Sequence, residues 1–137
     1  MKTGNDVLRK GMFILLLAVP LASQASVVDE QLVSYQASGA GSFSAQKGEQ
    51  LWRQEVVSEK DGHARSCTTC HGNDLRSAGK HAKTGKTIEP LSPAVNVERL
   101  SSAKKIRKWF KRNCKWTWGR ECTSQEKGDL LSFIRQQ

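Results

Sequence analysis

The sequence predicts a mostly α-helical single domain. Its 137 residues are enough for one hydrophobic core but too few for two ordinary domains. Three segments repeat apolar residues at helical spacing. No segment alternates apolar and polar residues over the length of a strand, so a sheet is not indicated. The predicted fold class is therefore all-α, built from those three helices.

The first 25 residues have the pattern of an export signal. Lys2, Arg9 and Lys10 precede the apolar run GMFILLLAVPLA, and the small residues SQAS follow it. The run is short for a membrane span, which favours a secretory signal peptide over residues 1–25 rather than an uncleaved anchor. Cleavage after Ala25 would lower the formal net charge from +9 to +7. The domain is therefore expected in the periplasm.

The segment that follows the signal peptide is rich in small residues. The stretch SYQASGAGSF predicts a flexible lead-in over residues 26–42, which leaves residues 43–137 as the folded domain. The basic runs KHAKTGK and KKIRKWFKR suit acidic protein surfaces, although a merely solvated face explains each run equally well. No nucleic-acid partner is expected outside the cytoplasm.

Two of the three helices are predicted from their apolar faces. The first runs from about Ser44 to Glu59, and Gly48 lies one turn before Trp52, where a small residue would let another helix approach closely. The second begins near Ser101 or Ser102 as its N-cap. The apolar face of this second helix contains Ile106, Trp109 and Phe110.

The third helix is predicted from its first residues, TSQE. Thr123 can accept a hydrogen bond from the Glu126 amide, and the Glu126 side chain can reach back to the start of the helix, which is a capping box. The apolar residues that follow are Leu130, Leu131, Phe133 and Ile134.

The segment SCTTCHG contains the residues best suited to bind a cofactor or a metal. Cys67, Cys70 and His71 form the pattern that attaches a c-type haem, because two intervening residues let both sulfurs reach the vinyl groups and the next histidine ligates the iron. A structural zinc site would have to recruit Cys114 and Cys122, whose spacing is wider than usual. A thiol redox site expects a βαβ pattern, which is absent. One covalent haem c is the preferred interpretation.

The second axial position of the iron decides the function. The only methionines are Met1 and Met12, both within the predicted signal peptide, which excludes the His/Met ligation of ordinary electron carriers. The remaining candidates are His63, His81, a lysine, water, or the amide oxygen of Asn113. From the sequence alone, His63 is better explained as an exposed loop residue and Asn113 as a helix C-cap.

The chain resembles the sphaeroides haem protein (SHP) type of class I cytochrome c. The similarity covers most of the mature domain and rests on CTTCH, on SPAVNVERL before IRKWFKRNC, and on RNCKWTWGREC leading into TSQEKGDLL. It implies a class I fold around one haem that binds oxygen. It also implies that Asn113 is the sixth ligand of the resting iron and that Cys114 and Cys122 form a disulfide. The partners it implies are a dihaem cytochrome c and a membrane cytochrome b.

The resemblance leaves two classes of function. A carboxamide oxygen such as that of Asn113 is a hard, weak ligand that suits ferric iron better than ferrous iron, so reduction should free the site for a diatomic gas, O₂ or NO. The alternative is a plain electron-transfer cytochrome whose haem stays six-coordinate. A disulfide between Cys114 and Cys122 could limit the movement of Asn113 or simply staple a small domain. Catalytic turnover and oligomeric state stay open, since no acid–base residue is identifiable.

Overall fold

The computed structural model describes residues 26–137, so the predicted signal peptide lies outside the described residues. The all-α prediction is confirmed, because helices supply nearly all the regular structure. Within residues 26–137, none of the helices combines the length and apolar character needed to cross a bilayer. The helices are α1 (Val27–Ala37), α2 (Ala45–Arg53), α3 (Thr68–His71), α4 (Ala103–Trp118) and α5 (Ser124–Ile134).

Two small antiparallel ladders, which the sequence did not predict, connect the helices. Each strand has only two residues, too few to show an alternating pattern. One ladder precedes α3 and the other carries His81 between its strands, so both lie beside the candidate site. The strands are β1 (Val56–Val57), β2 (Ala64–Arg65), β3 (Gly79–Lys80) and β4 (Thr87–Ile88), paired β1 with β2 and β3 with β4.

The crossing of α2 and α5 is the main helix packing of the fold. Gly48 permits the close approach that the sequence predicted, since a Cβ there would overlap the Asp129 carbonyl oxygen and lie 2.8 Å from Phe133 Cβ. Helix α2 starts at the predicted place, with Ser44 as its N-cap. It ends at Arg53 rather than near Glu59, because the backbone becomes extended at Gln54 and the β-branched residues Val56 and Val57 form β1.

The caps of α4 and α5 are confirmed. The Ser102 hydroxyl accepts a hydrogen bond from the Lys105 amide at 3.4 Å. Thr123 accepts from the Glu126 amide at 3.2 Å, and the Glu126 carboxylate accepts from the Thr123 amide at 2.8 Å. These caps orient two helices toward one hydrophobic core, whose buried residues are Trp52, Leu75, Cys114, Cys122, Leu130, Phe133 and Ile134.

Helix α1 replaces much of the predicted flexible lead-in. Residues 26–42 were expected to be mobile, but Ser26 and Asp29 form a capping box that starts an 11-residue helix. Val28 and Tyr35 pack with the fully buried Leu131 of α5 in a second hydrophobic cluster. The lead-in prediction is wrong for this helix, because burial of its apolar side against α5 outweighs the flexibility of the Gly/Ser-rich residues after it.

Candidate functional site

One cavity of about 640 Å³ lies between α4 and the segments that contain α3, β4 and residues 98–102. This volume is in the usual range for a small-molecule or cofactor site. His81 also lines the cavity, whereas His63 lies in an exposed turn away from it. All six site residues predicted from the sequence line it: Cys67, Cys70, His71, Asn113, Cys114 and Cys122.

The wall formed by α3 is fixed by short-range hydrogen bonds. The buried Ser66 donates its backbone amide to the Thr69 hydroxyl at 3.0 Å and shares a hydrogen bond of 2.6 Å with the Thr68 hydroxyl. The Trp52 indole donates to the carbonyl of Gly72 at 3.2 Å, and its ring centroid is 5.4 Å from that of His71. These contacts hold both thiols and the imidazole on one side of the cavity.

The electrostatics of this wall suit a haem better than the rival sites. Burial, with a smaller contribution from Arg99, lowers the pKa of His71 to about 4, so its imidazole is neutral at pH 7 and its lone pair can bind a metal. Burial, with Cys70 next, raises the pKa of the Cys67 thiol to about 12. A thiol redox site needs a thiolate of lowered pKa, so this environment opposes that interpretation.

Asn113 lines the cavity from α4, whereas Cys67, Cys70 and His71 line it from the CTTCH segment. The Asn113 side chain is exposed on the cavity wall, and within residues 26–137 it forms no hydrogen bond with the protein. The amide oxygen is therefore available to a ligand or a metal. Asn113 is not the helix C-cap suggested by its residue type, because α4 continues to Trp118 and the left-handed cap is Gly119, with φ 71°.

The disulfide predicted from the family resemblance is present. Cys114 and Cys122 are joined, with their Cα atoms 5.6 Å apart, and both sulfur-bearing residues are buried at the cavity. The bond connects the end of α4 to the residue just before the N-cap of α5. It removes both cysteines from any zinc site, which leaves only the two thiols of the CTTCH segment.

Arg65 connects the two sides of the cavity. Its guanidinium donates to the Trp116 carbonyl at 3.0 Å, stacks 4.7 Å from the centre of the Trp116 ring and pairs with Asp61. The first two contacts join β2, just before the CTTCH segment, to the last turn of α4. Sequence reasoning missed this residue, since the contact spans 51 positions and no local pattern indicates it.

The remaining lining fits a haem. Arg99 also escaped the sequence reasoning; it lines the cavity and donates to the carbonyls of Pro90 and Glu89 at 2.8 and 2.7 Å. A haem is an apolar plate with two carboxylates, so it needs an apolar interior and cations at the edge. The cations that line the cavity are Lys83, Arg99, Lys105 and Arg112, with Glu98 as the one carboxylate among the described lining residues.

Comparison with known proteins shows which family the chain resembles. Residues 38–134 match the family described as "Domain of unknown function (DUF1924)". The chain is 35% identical over 127 residues to the cytochrome c-type protein SHP of Cereibacter sphaeroides, which covers 90% of this chain and 97% of that protein. It is also 33% identical over 73 residues to cytochrome c'' of Methylophilus methylotrophus, covering 53% and 51% of the two chains.

Solved structures show the same fold. The structure of oxidised SHP, described as an oxygen-binding cytochrome c, superposes with a TM-score of 0.73 at 34% identity, covering 83% of this chain and all of that one. The solution structure of cytochrome c'' from Methylophilus methylotrophus gives a TM-score of 0.69 at 25% identity and covers 80% and 93% of the two chains.

Proposed function

Because the chain belongs to the SHP family of c-type cytochromes and carries one covalently attached haem, we propose that it binds a diatomic gas, O₂ or NO, when reduced. The observation that carries this proposal is the Asn113 carboxamide, which lies on the cavity wall without a hydrogen-bond partner among residues 26–137. A related structure is described as that of an oxygen-binding cytochrome c, which supports the same function here.

The CTTCH segment holds the haem in this proposal. Cys67 and Cys70 would hold the haem through thioethers to its vinyl groups, and His71 would hold the iron through its neutral imidazole. When bound, the haem supplies an iron that changes between ferric and ferrous states and accepts a gas in the ferrous state. Burial keeps the His71 imidazole neutral, since its pKa is lowered to about 4, so no proton has to leave before it binds iron.

Asn113 supplies the redox-dependent ligand. Its amide oxygen would hold ferric iron, and reduction would weaken that hold, because a hard neutral oxygen is poorly matched to the softer ferrous ion. The Cys114–Cys122 disulfide holds the adjacent backbone, so the displaced side chain stays close and competes with the gas. This competition makes gas binding reversible and dependent on the oxidation state.

A plain electron carrier is the second candidate, and His81 is the observation that favours it. This histidine lines the same cavity, and its Nδ1 atom accepts hydrogen bonds from the amides of Lys83 and Thr84 at 3.3 Å each. Because Nδ1 accepts, the neutral ring carries its proton on Nε2, so His81 would have to give up these two bonds and change tautomer before Nε2 could act as a strong-field ligand. If His81 bound the iron, the haem would be six-coordinate and low-spin in both oxidation states.

Export and redox partners complete the proposal. The N-terminal pattern of cations, apolar run and small residues directs the chain to the periplasm, where c-type haem attachment and the disulfide are compatible. A dihaem cytochrome c and a membrane cytochrome b are the partners that the family resemblance implies. They would supply the electrons that open the gas site.

The test is the optical spectrum of three holoprotein variants in both oxidation states, with and without CO. We expect wild-type protein to be high-spin or mixed-spin when ferric and to bind CO when ferrous. Asn113→Ala should keep its covalent haem, shift the ferric spectrum toward a water-bound or five-coordinate form, and change CO affinity. Asn73→Ala is the matched control, since that amide lies on the surface and accepts a bond from Arg53.

His81→Ala separates the two candidates. The gas-binding proposal predicts that this variant has the wild-type ferric spectrum and still binds CO. A wild-type protein that is low-spin in both states and inert to CO would contradict it. The gas-binding proposal would also be contradicted if His81→Ala changes the ferric spectrum while Asn113→Ala leaves it unaltered. In either case the electron-carrier function would be the better assignment.

A further inference from the structure

Helix α4 carries a dense group of positive charges. Its 16 residues include seven cations and no carboxylate, and all seven cations are exposed. Within residues 26–137, only Lys115 has a carboxylate within ion-pair distance, that of Glu121 at 3.2 Å. We call these seven residues the basic face: Lys104, Lys105, Arg107, Lys108, Lys111, Arg112 and Lys115.

The stability of the helix does not explain the basic face. Lys104 and Lys105 lie in the first turn, where the helix dipole is positive and disfavours cations, and that turn has no acidic residue. By contrast, the first turns of α1 and α5 contain Asp29, Glu30 and Glu126. Like charges at i, i+4 spacing along α4 also repel one another. A role outside the helix is therefore the better explanation of the charge.

The basic face borders the cavity. With 3.6 residues per turn, two parallel stripes run along α4 over about 16 Å. Every residue of the first stripe lines the cavity: Lys105, Trp109, Arg112 and Trp116. The neighbouring stripe faces solvent and consists entirely of lysine: Lys104, Lys108, Lys111 and Lys115. A macromolecule seated on the second stripe would therefore lie next to the haem site.

We propose that the basic face is the docking surface for an acidic redox protein that donates electrons to the haem. This inference rests on the proposed function, because gas binding there requires prior reduction. Complementary charge speeds such encounters and orients the partner. Each encounter would move one electron from the partner's reduced centre to the ferric iron, and no proton or chemical group would be transferred between the two proteins.

An acidic protein fits this face better than an anionic membrane does. Helices that bind at a bilayer surface present an apolar side for insertion beside their cations. The outward stripe of α4 has no apolar residue, and the apolar side of the helix faces the core and the cavity. Only a protein partner also brings a redox centre to the cavity, so the position of the charges favours that occupant.

Reduced flavodoxin, an acidic flavoprotein, is the probe for the experiment. Stopped-flow mixing measures its rate of reducing the ferric holoprotein between low and high ionic strength. The test variant is Lys104→Glu with Lys108→Glu, which lie outside the cavity lining. The matched control is Lys47→Glu with Lys60→Glu, two exposed lysines on α2 and in the β1–β2 turn, which change the net charge equally.

We expect the α4 pair to slow reduction by about tenfold or more at low salt and to flatten its salt dependence, with a much smaller change in the control pair. Reduction by photoreduced lumiflavin, which is uncharged, should be equal in all three proteins. Equal slowing by the two lysine pairs would overturn the docking proposal. The proposal would also be overturned if the α4 pair is reduced by flavodoxin at the wild-type rate but loses the ability of the wild-type protein to bind phosphatidylglycerol vesicles. That result would assign the basic face to a membrane.

CO binding by each ferrous protein separates the two proposals. Normal CO binding with no selective effect of the α4 pair contradicts the docking surface alone. Absence of CO binding in wild-type protein contradicts the gas-binding function, whatever the flavodoxin rates. A selective effect of the α4 pair would still establish docking in that case.

Discussion

The two walls of the cavity are built in different ways. The wall with the thiols and His71 comes from six consecutive residues, 66–71, tied by bonds between near neighbours such as Ser66 and Thr69. The wall with Asn113 depends on a disulfide and on Arg65, which reaches it from 51 positions away. Local bonds make the first wall a fixed attachment point. Long-range ties leave the second wall more dependent on the rest of the fold.

The difference bears on what each wall can do. A covalent attachment site has to keep two sulfurs at fixed separation, and consecutive residues on a single helical turn do so regardless of distant changes. A ligand that is released and rebound has to be held nearby without being locked. The Asn113 side chain, free of hydrogen bonds among the described residues but next to the disulfide-bonded Cys114, has those properties. Removal of either wall should therefore have a different consequence, and loss of the attachment wall should have the largest.

Loss of the attachment wall should abolish the holoprotein. Cys67→Ala combined with Cys70→Ala removes both sulfurs, and no other free cysteine exists in residues 26–137, so covalent haem should disappear completely. Mass spectrometry of the exported, purified protein measures this. The matched control is Cys114→Ala with Cys122→Ala, which should retain one covalent haem. Haem still attached in the first variant would contradict the assignment.

Loss of the disulfide should weaken the second wall without removing the haem. The bond closes a loop between residues eight positions apart, and loop-closure entropy of that size corresponds to about 2.5 kcal/mol of unfolding free energy. Urea unfolding of Cys114→Ala with Cys122→Ala should show this loss.

The ferric spectrum of the same variant tests the contrast more directly. If the disulfide positions Asn113, the spectrum should shift toward that of Asn113→Ala. A loss of stability with an unaltered spectrum would show that the disulfide stabilises the fold but does not position Asn113.

Local patterns predicted much of this molecule. The predicted N-caps placed the starts of α4 and α5 correctly, and Gly48 correctly indicated a close helix crossing. The CTTCH segment and the family resemblance together named six residues that all line one cavity. These features succeed because each depends on residues close in sequence, or on a motif whose chemistry fixes its spacing.

The missed features depend on distant contacts. Helix α1 had a local signal, the Ser26 and Asp29 capping pair, but its burial is decided by Leu131 of α5, which is distant in the sequence. Arg65 has no local signal at all, because its partner is a backbone carbonyl on α4. Single-sequence patterns carry no information on which distant surfaces meet.

Arg65 should couple the two walls. Arg65→Met removes a hydrogen bond to the Trp116 carbonyl, a stacking contact at 4.7 Å and a partly buried ion pair. We expect a loss of about 1–3 kcal/mol in unfolding free energy, measured by urea titration, because a carbonyl is left unpaired. Arg53→Met, which loses the exposed pair with Glu49, is the control and should cost less than about 1 kcal/mol. Equal losses of unfolding free energy in the two variants would show that Arg65 does not couple the two walls.

The smallest expected effect concerns the helix that follows the disulfide. Glu126 completes the α5 capping box and pairs with Arg120 at 2.7 Å. The Arg120 hydrogen bond, acting against burial, holds the pKa of Glu126 below its usual 4.5. A carboxyl whose folded pKa is depressed stabilises the fold above its unfolded pKa, and that stabilisation is lost as pH falls through the folded pKa.

Glu126→Gln should therefore lower the unfolding free energy by about 0.5–1 kcal/mol at pH 7, because Gln keeps a capping oxygen but loses the charge. The difference from wild type should shrink as the pH falls through the lowered pKa of the wild-type carboxyl, where that carboxyl takes up its proton. Urea titrations at pH 7 and pH 3 measure it, with the exposed Glu59→Gln as control. A deficit of the same size at both pH values would show that the ion pair contributes nothing and that cap geometry alone supports the start of α5.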